Sequence, residues 1–398
     1  MPVLWLLAAL QAAALLVLLG RLAPGRTRRP PVPPLRDGDA PATTVTILLA
    51  TLNEARRIGP CLEGLAKQGS LVREIFVVDS RSSDGTRALV EAAAARDPRI
   101  ALLTDPPLPL DWIGKVWALQ HGLSHATGEW VLGLDADITP HPGLAAGVVR
   151  AALDYNFDVV SFSPRFEVSS AAEQWLQPAL LVTLVYRCGA AGETQPPPER
   201  VLANGQCFLA RRELLLAHGG YVAAQRSFAD DVTLARHLAR RGVRVGFLDG
   251  SKLYTVRSYT SMAEAWREWG RSLDLKDATT RVRQWADVAF LLLAQALPLP
   301  MLATLLLLGP AAVGAAWRPL LAVNGALFVV RLLMLSALST SYVRPGLPFW
   351  LSPLADVPAA LRILLSTLTR PRAWRGRAYA DGSGSGSSTA PVSTHGSG

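Results

Sequence analysis

Two regimes of hydrophobic patterning divide the chain. Between residues 45 and 256, short apolar runs alternate with stretches of helical periodicity. "VTILLA" (45–50) reads as a buried strand followed by a helix over 54–67, and "REIFVVD" (73–79) as a strand followed by a helix over 84–96. "RIALLT" (99–104) is strand-like, and 115–126 is helical. "WVLGL" (130–134), "FDVVSFSP" (157–164) and "GQCFLARR" (205–212) are further strands, with a helix over 231–240. Regular alternation of this kind predicts an α/β fold with a largely parallel sheet, whose ligands bind at the C-terminal strand ends.

Outside this region the pattern is apolar without alternation. Leu4 to Leu19 carries Gln11 as its one polar interruption, and a basic run follows it rather than precedes it. A secretory signal has the opposite order, so the segment reads as an anchor with its N-terminus outside and residue 21 onward in the cytoplasm. Residues 21–44, rich in Pro and Arg, read as an extended linker. Two apolar stretches, Val288–Ala316 and Leu320–Leu338, predict a transmembrane hairpin. Arg331 lies near the middle of the second, where it either faces a lipid-substrate cavity or pairs internally; the second reading is preferred. Leu347–Leu368 is interrupted by Pro353, Asp356, Pro358 and Arg362. An interfacial helix keeps the arginines of "RPRAWRGR" in the cytoplasm, and a full span does not. The Gly/Ser-rich tail cannot bury a core and is expected to be disordered. The expected division is an anchor (1–20), a linker (21–44), an α/β domain (45–284), a hairpin (285–340), an interfacial segment (341–380) and a tail (381–398).

Composition agrees with membrane association. Half of the 398 residues are hydrophobic and 18% are charged, with a formal net charge of +9. Much of the arginine flanks the apolar segments, and no basic strand carries interleaved aromatics, which favours a bilayer surface over nucleic acid. Three scattered cysteines offer neither zinc spacing nor a disulfide framework.

The strand ends carry the chemistry. The first strand ends in Thr51, Asn53 and Glu54, the second in "VVDSRSSDGT", and the strand at 130 in Asp135-Ala136-Asp137. Singly, each has an ordinary reading: Asp84 or Asn53-Glu54 as a helix cap, Asp79 as a turn residue. Together at successive strand ends they predict a site. Asp79 and Asp84 suit an imide N–H or sugar hydroxyls. Asp135 and Asp137 are hard oxygen ligands for Mg²⁺ or Mn²⁺ bridging to a diphosphate. Lys115 is either a fixed cation near those phosphates or a solvated helix-start lysine. No G-x-G-x-x-G or Walker loop follows the first strand, which weighs against oxidoreductase and nucleotide-triphosphatase readings.

"ATLNEA", "VVDSRSSDGT", "GLDADI" and "FADDVTLARHLARRG" together resemble a family-2 glycosyltransferase over residues 43–280. The resemblance implies a GT-A catalytic domain, Rossmann-like with a mostly parallel sheet, here with an N-terminal transmembrane anchor and C-terminal transmembrane and interfacial helices. It implies inverting transfer from a nucleotide-diphosphate sugar. By position, Thr51, Asn53, Glu54, Asp79 and Asp84 match nucleoside-binding elements, and Asp135 and Asp137 the metal and diphosphate D-x-D, Asp137 as direct ligand. Asp231 matches the general base, with Asp230 beside it, either as N-cap of the following helix or as a repelling neighbour that raises its pKa. "ANGQCFLARRE", with Asn204, Gly205 and Gln206, matches the segment along the donor sugar. The family's Q-x-x-R-W is absent. Trp266, Trp269 and Arg271 in "EAWREWGRSLDLKDA" stand in its region as an aromatic acceptor-side wall and a diphosphate cation; Arg271 is equally readable as a membrane-surface arginine. "DWIGKVWALQHG" and "WRGRAY" resemble bacterial carotenoid 2'-O-glycosyltransferases and hopanoid-associated glycosyltransferases. The resemblance thus implies a membrane lipid acceptor, at the bacterial inner membrane with the catalytic domain cytoplasmic. A polyprenyl-phosphate acceptor and a nucleotide-binding scaffold are the alternatives. "EQWLQPALLVTLVYRCG" (173–189) reads either as a membrane-facing helix near the acceptor or as a core helix.

Overall fold

The computed structural model describes residues 2–369 except 195, 258 and 260, together with the backbone of 373–374 and 377–378. The tail expected over 381–398, and most of "RPRAWRGR", lie outside the described residues.

The strands are β1 (Val45–Thr51), β2 (Val72–Asp79), β3 (Ile100–Thr104), β4 (Trp130–Leu134), β5 (Ile138–Pro140), β6 (Val159–Ser163), β7 (Arg165–Glu167), β8 (Cys207–Arg211), β9 (Val245–Asp249) and β10 (Tyr254–Arg257). The α/β region contributes α2 (Ile58–Ala66), α3 (Thr86–Ala94), α4 (Gly114–His125), α5 (Leu144–Asp154), α6 (Ala171–Cys188), α7 (Arg212–Ala217), α8 (Asp230–Ala239) and α9 (Met262–Ser272). The helices α1 (Pro2–Leu22), α10 (Arg281–Leu291), α11 (Pro298–Val313), α12 (Trp317–Ser339), α13 (Leu347–Trp350) and α14 (Asp356–Leu368) lie toward the two ends of the chain.

A seven-stranded sheet has the order β3-β2-β1-β4-β8-β6-β9, and only β8 runs antiparallel to its neighbours. Its central strands are buried on both faces, as the continuous runs of Ile, Leu and Val require. Apolar clusters fill both sides of the sheet. A smaller sheet, β5-β10-β7, sits beyond the end of β4.

Two helix starts differ from the sequence expectation. The first begins at Ile58, not 54, because Asn53 has a φ of 56° and residues 54–57 form a turn closed on the Glu54 carbonyl. The second begins at Thr86, because the Asp84 carboxylate accepts from the Thr86 N–H at 3.1 Å. Asp230 is the first residue of α8 and Ala229 holds the cap position, so the N-cap reading of Asp230 is corrected.

Of residues 21–44, 21–27 continue the helical stretch of α1 and 37–39 form a short turn, while 28–36 run extended and are held against the domain. Arg29 N donates to Gly192 O at 3.0 Å, Val32 N to Asp249 O at 2.8 Å and Leu35 N to Gly143 O at 3.1 Å. Val32 is buried in the domain core, and the Arg29 guanidinium stacks over Tyr155 and Phe157 at 4.2 and 4.6 Å. A Cβ at Gly143 would collide with the Leu35 carbonyl, so glycine there admits the strap. Asp37 fastens its end, accepting from Ser70 N at 2.9 Å and Ser70 Oγ at 3.1 Å. Asp37→Ala is expected to cost about 1 kcal/mol and to speed proteolytic nicking of residues 28–41, read by thermal unfolding in detergent and limited proteolysis.

Two helical stretches, Pro2–Thr27 and Pro298–Ser339, are long and apolar enough to cross a membrane. The second is a hairpin of α11 against α12, with α11 kinked at Gly309 (φ 71°). On α1, Ala8, Gln11, Ala14 and Leu18 point inward, while Trp5, Leu6, Leu16 and Leu19 are exposed. Gln11 exchanges hydrogen bonds with Asn324 at 2.7 and 2.8 Å, which satisfies the one polar group of that segment. Arg331 is paired internally: its Nε lies 2.9 Å from both Asp356 oxygens, and a terminal nitrogen reaches Ser352 Oγ at 3.1 Å. Residues 347–368 form two helices rather than one. Asp356 and Ser352 face inward, and Leu347, Trp350, Leu354, Val357 and Leu361 are exposed.

Candidate active site

The end of β4 is where the fold gathers charge. In the turn between β4 and β5, Asp135 and Asp137 are half-buried and line one cavity, with Ala136 buried between them. The short strand β5 begins directly after Asp137 and pairs with β10, which fixes the turn. From the N-terminus of α4, Lys115 places its Nζ 2.9 Å from Asp135 Oδ1 and 4.0 Å from Asp230 Oδ1. The first turn of α8 supplies Asp230 and Asp231. Asp231 Oδ2 accepts from Gly205 N at 2.6 Å, and its Oδ1 from Val232 N at 2.8 Å.

The loop 204–206 is tied to itself and to β6. Gln206 N donates to Asn204 Oδ1 at 3.0 Å, and Asn204 N to Ser161 Oγ at 3.1 Å. A Cβ on residue 205 would lie 2.9 Å from Lys115 Nζ, so the lysine approaches the loop closely at Gly205.

This electrostatic arrangement sets the protonation states. Burial and the neighbouring Asp230 charge push the Asp231 carboxyl up to about 6, with Lys115 opposing. Burial likewise raises Asp230, against the pull of Lys115. Burial alone would lower Lys115, but Asp135, Asp230 and Asp231 more than reverse it, so the ammonium stays charged. Asp231 keeps part of its surface open to a cavity of about 1040 Å³.

That cavity brings together eleven of the expected site residues: Glu54, Lys115, Asp135, Asp137, Asn204, Gly205, Gln206, Asp230, Asp231, Trp269 and Arg271. Thr51, Asn53, Asp79, Asp84 and Trp266 do not line it. The first four instead interlock the loops after β1 and β2. Asp79 is fully buried; it accepts from Ser82 N and Oγ at 3.0 and 2.5 Å and from Thr51 Oγ1 at 3.3 Å, and pairs with Arg87 at 3.2 Å. Asn53 Oδ1 accepts from Ser83 N at 2.9 Å. Asp84 spans both loops by accepting from Ala55 N at 2.9 Å; burial pushes its pKa up, but hydrogen bonds from Thr86 and Ala55 outweigh this and hold it below the usual carboxylate range. Trp266 lies under the Arg362 guanidinium at 5.3 Å. Arg271 pairs with Glu268 at 2.8 Å while lining the cavity.

Sequence reasoning missed the ion pair between Arg57 and Glu264, 2.7 Å, which ties the turn after β1 to α9 across the cavity wall. The paired arginines directly after the "LNEA" strand end were its one sequence signal. Residues of α6, read from the sequence as a helix near the acceptor or a core helix, line the cavity, and so does the end of α12, which was missed.

Among the described residues, no three His, Cys, Asp or Glu side chains form a ready metal cage. The donor set still suits a hard divalent ion. Asp135 and Asp137 present carboxylate oxygens, and the Lys115 ammonium on Asp135 marks the place as one that holds positive charge. The remaining ligands would come from substrate phosphates.

Comparison with known proteins supports the expected enzyme class. Residues 46–219 match the model of the family described as Glycosyl transferase family 2. The succinoglycan biosynthesis protein ExoO of Rhizobium meliloti is 37% identical over 131 residues, 30% of this chain and 35% of that protein. The dolichyl-phosphate beta-glucosyltransferase ALG5C of Trichomonas vaginalis is 35% identical over 100 residues, 23% of this chain and 28% of that protein. The chain thus spans about a third of the length of these curated relatives. Among solved structures, the mannosyltransferase PcManGT of Pyrobaculum calidifontis, in complex with GDP-Man and Mn²⁺, is 22% identical. It aligns over 92% of this chain and 99% of its own with a TM-score of 0.53, a likeness of fold. The mixed α/β architecture with its mostly parallel sheet is GT-A-like.

Proposed function

We propose that this chain, with its glycosyl transferase family 2 segment, moves a hexose from a nucleotide-diphosphate sugar to a hydroxyl of a membrane lipid alcohol, such as a carotenoid or hopanoid. The reaction is an inverting displacement at the cytoplasmic face of the bacterial inner membrane. One observation carries the reading: Asp231, with its raised pKa, opens into the same cavity as the Asp135–Lys115–Asp137 group.

On this reading each group has its own task. The acceptor hydroxyl gives its proton to Asp231 as its oxygen attacks the anomeric carbon from the face opposite the diphosphate. The carboxylate already accepts two backbone N–H groups, yet it has further lone-pair sites for the acceptor. The backbone bonds fix its orientation. Asp137, with Asp135, would hold Mg²⁺ or Mn²⁺, which when bound offsets charge on the departing diphosphate. Lys115 and Arg271 add fixed positive charge on the same side. Asn204, Gly205 and Gln206 lie along the donor sugar. Thr51, Asn53, Asp79 and Asp84 keep the loops at the nucleoside end in register, with exposed Asp84 open to the ribose. Trp269 stands on the acceptor side of the cavity, with Trp266 behind it.

A polyprenyl phosphate is the second reading of the acceptor. It draws on the guanidinium groups of Arg56 and Arg267 in the cavity wall and on the similarity to the dolichyl-phosphate transferase. The deciding assay incubates the full chain in proteoliposomes with labelled nucleotide sugars and Mn²⁺. Nucleoside diphosphate release together with a hexose-sized mass gain in a neutral lipid is the expected result. Gain in a phosphorylated lipid supports the second reading. Tight nucleotide binding without release points to a scaffold and overturns both.

A further inference from the structure

The cavity is not polar throughout. Besides Asp231 and Trp269, its wall includes Phe166 of β7, Leu181 and Leu184 of α6, and Met334 and Leu338 of α12, which pack against the apolar cluster that holds Trp269. These five side chains form an apolar arm continuous with the carboxylate chamber. The last three turns of α12 therefore serve two environments. Met334, Ala337 and Leu338 face the arm, while Val329, Leu332 and Leu333 are exposed on the outside of a stretch long and apolar enough to cross a membrane.

The whole cavity, about 1040 Å³, stands at the upper end of the ordinary range for a single small ligand, roughly 300–1,000 Å³. That leaves space for a donor and part of an acceptor. The arm is backed by a row of aromatic rings. Trp269 lies 6.4 Å from Phe166, Phe166 5.4 Å from Tyr342, Tyr342 4.9 Å from Phe349, and Phe349 5.2 Å from Trp350, which is exposed on the outer surface. The row fixes Phe166, so the wall is rigid where it turns from polar to apolar.

Glu173, Gln177 and Ser341 also line the cavity, but Phe166, Leu181, Leu184, Met334 and Leu338 themselves offer no partner to the hydroxyls of a sugar acceptor, and burying those hydroxyls against them unpaired is unfavourable. A hydrocarbon chain loses nothing by entering. Its source is adjacent, because the outer face of the same helix is the surface that a bilayer would cover. One occupant meets both conditions. We infer that the arm between α6 and α12 binds the hydrocarbon chain of the lipid alcohol acceptor, entering past the last turns of α12 and presenting its hydroxyl to Asp231. This rests on the transfer reading above and adds to it where the chain lies and which residues select its length.

The test uses the full chain in phosphatidylethanolamine–phosphatidylglycerol vesicles. A hexadecanol carrying a terminal diazirine is photolysed with the wild-type protein, and labelled peptides are mapped. Label is expected in the peptides that hold 181–184 or 334–338. In parallel, Leu338→Trp is expected to lower the ratio of kcat/KM for hexadecanol to that for butanol by about tenfold or more. Leu332→Trp, on the outer face of the same helix, leaves that ratio unchanged. The photolabelling result stands even if Leu338→Trp fails to fold. Transfer to hexadecanol with label confined to other peptides overturns the arm and leaves the lipid-alcohol reading intact. Transfer only to soluble sugars, with no lipid alcohol accepted, overturns the reading and the arm with it.

Discussion

Asp231→Asn is expected to lower kcat by about 10²- to 10⁴-fold, the usual contribution of a positioned general base, while nucleotide binding persists. The amide keeps an oxygen that can accept from Gly205 N or Val232 N, the two hydrogen bonds of 2.6 and 2.8 Å that orient the carboxylate, so the loop and helix stay in place. What is lost is the ability to take a proton. The pH profile of the unaltered enzyme makes the same point. Burial and the Asp230 charge raise the Asp231 pKa to about 6. A base works in its deprotonated form, so kcat/KM should be level above that value and fall tenfold per pH unit below it. An ordinary aspartate would place the bend near pH 3.9. Asp230→Asn removes one of the two causes and should shift the bend toward lower pH. If Asp231→Asn retains most of its activity, no base is required. A phosphate acceptor, whose oxygen is already ionised, then becomes the better account.

How much of this was open to a reader of the sequence depends on the range of the interactions involved. β1, β2 and β4 were readable because each is a continuous apolar run ended by polar residues, a purely local signal. Helix starts were misplaced where a loop takes an unusual backbone: the positive φ of Asn53 delays α2 by four residues beyond Glu54. The linker shows the opposite limit. Its Pro and Arg content suits the extended course of 28–36, whereas 21–27 are helical. Nothing local announces that Val32 and Leu35 would find Asp249 and Gly143 more than a hundred residues away. Asp79 was readable as a strand-end carboxylate. Its hydrogen bond from Thr51 emerges only when β1 and β2 are laid side by side. Arg331 advertised a need for a partner, because an arginine amid leucines must have one, yet the sequence could not name Asp356. Of the apolar arm, only α6 was legible, in the reading of 173–189 as a helix near the acceptor; that β7 and α12 would meet it there had no local signal.

The second large effect concerns the cation at the D-x-D. Chelation of divalent metal should abolish transfer. Asp137→Ala should weaken Mn²⁺ binding by at least about tenfold and depress turnover further, since a bound ion supplies several kcal/mol to a departing diphosphate. Lys115 separates two outcomes that are usually confounded. Its ammonium rests 2.9 Å from Asp135 Oδ1, so a metal ion approaching Asp135 meets a like charge already in position. Two unit charges 4 Å apart interact by about 4 kcal/mol at an effective dielectric of 20. The competition is therefore large enough to measure. Lys115→Met should tighten Mn²⁺ binding by about tenfold or more, because Asp135, Asp230 and Asp231 then lose the ammonium that lies among them. The same variant should turn over more slowly, because the phosphates lose a fixed cation. Mn²⁺ titration followed by electron paramagnetic resonance reads the first effect without reference to activity. Affinity and rate moving in opposite directions is the signature of a lysine that yields its carboxylate to the metal. Weaker Mn²⁺ binding in Lys115→Met would mean instead that the lysine holds Asp135 in its ligating position.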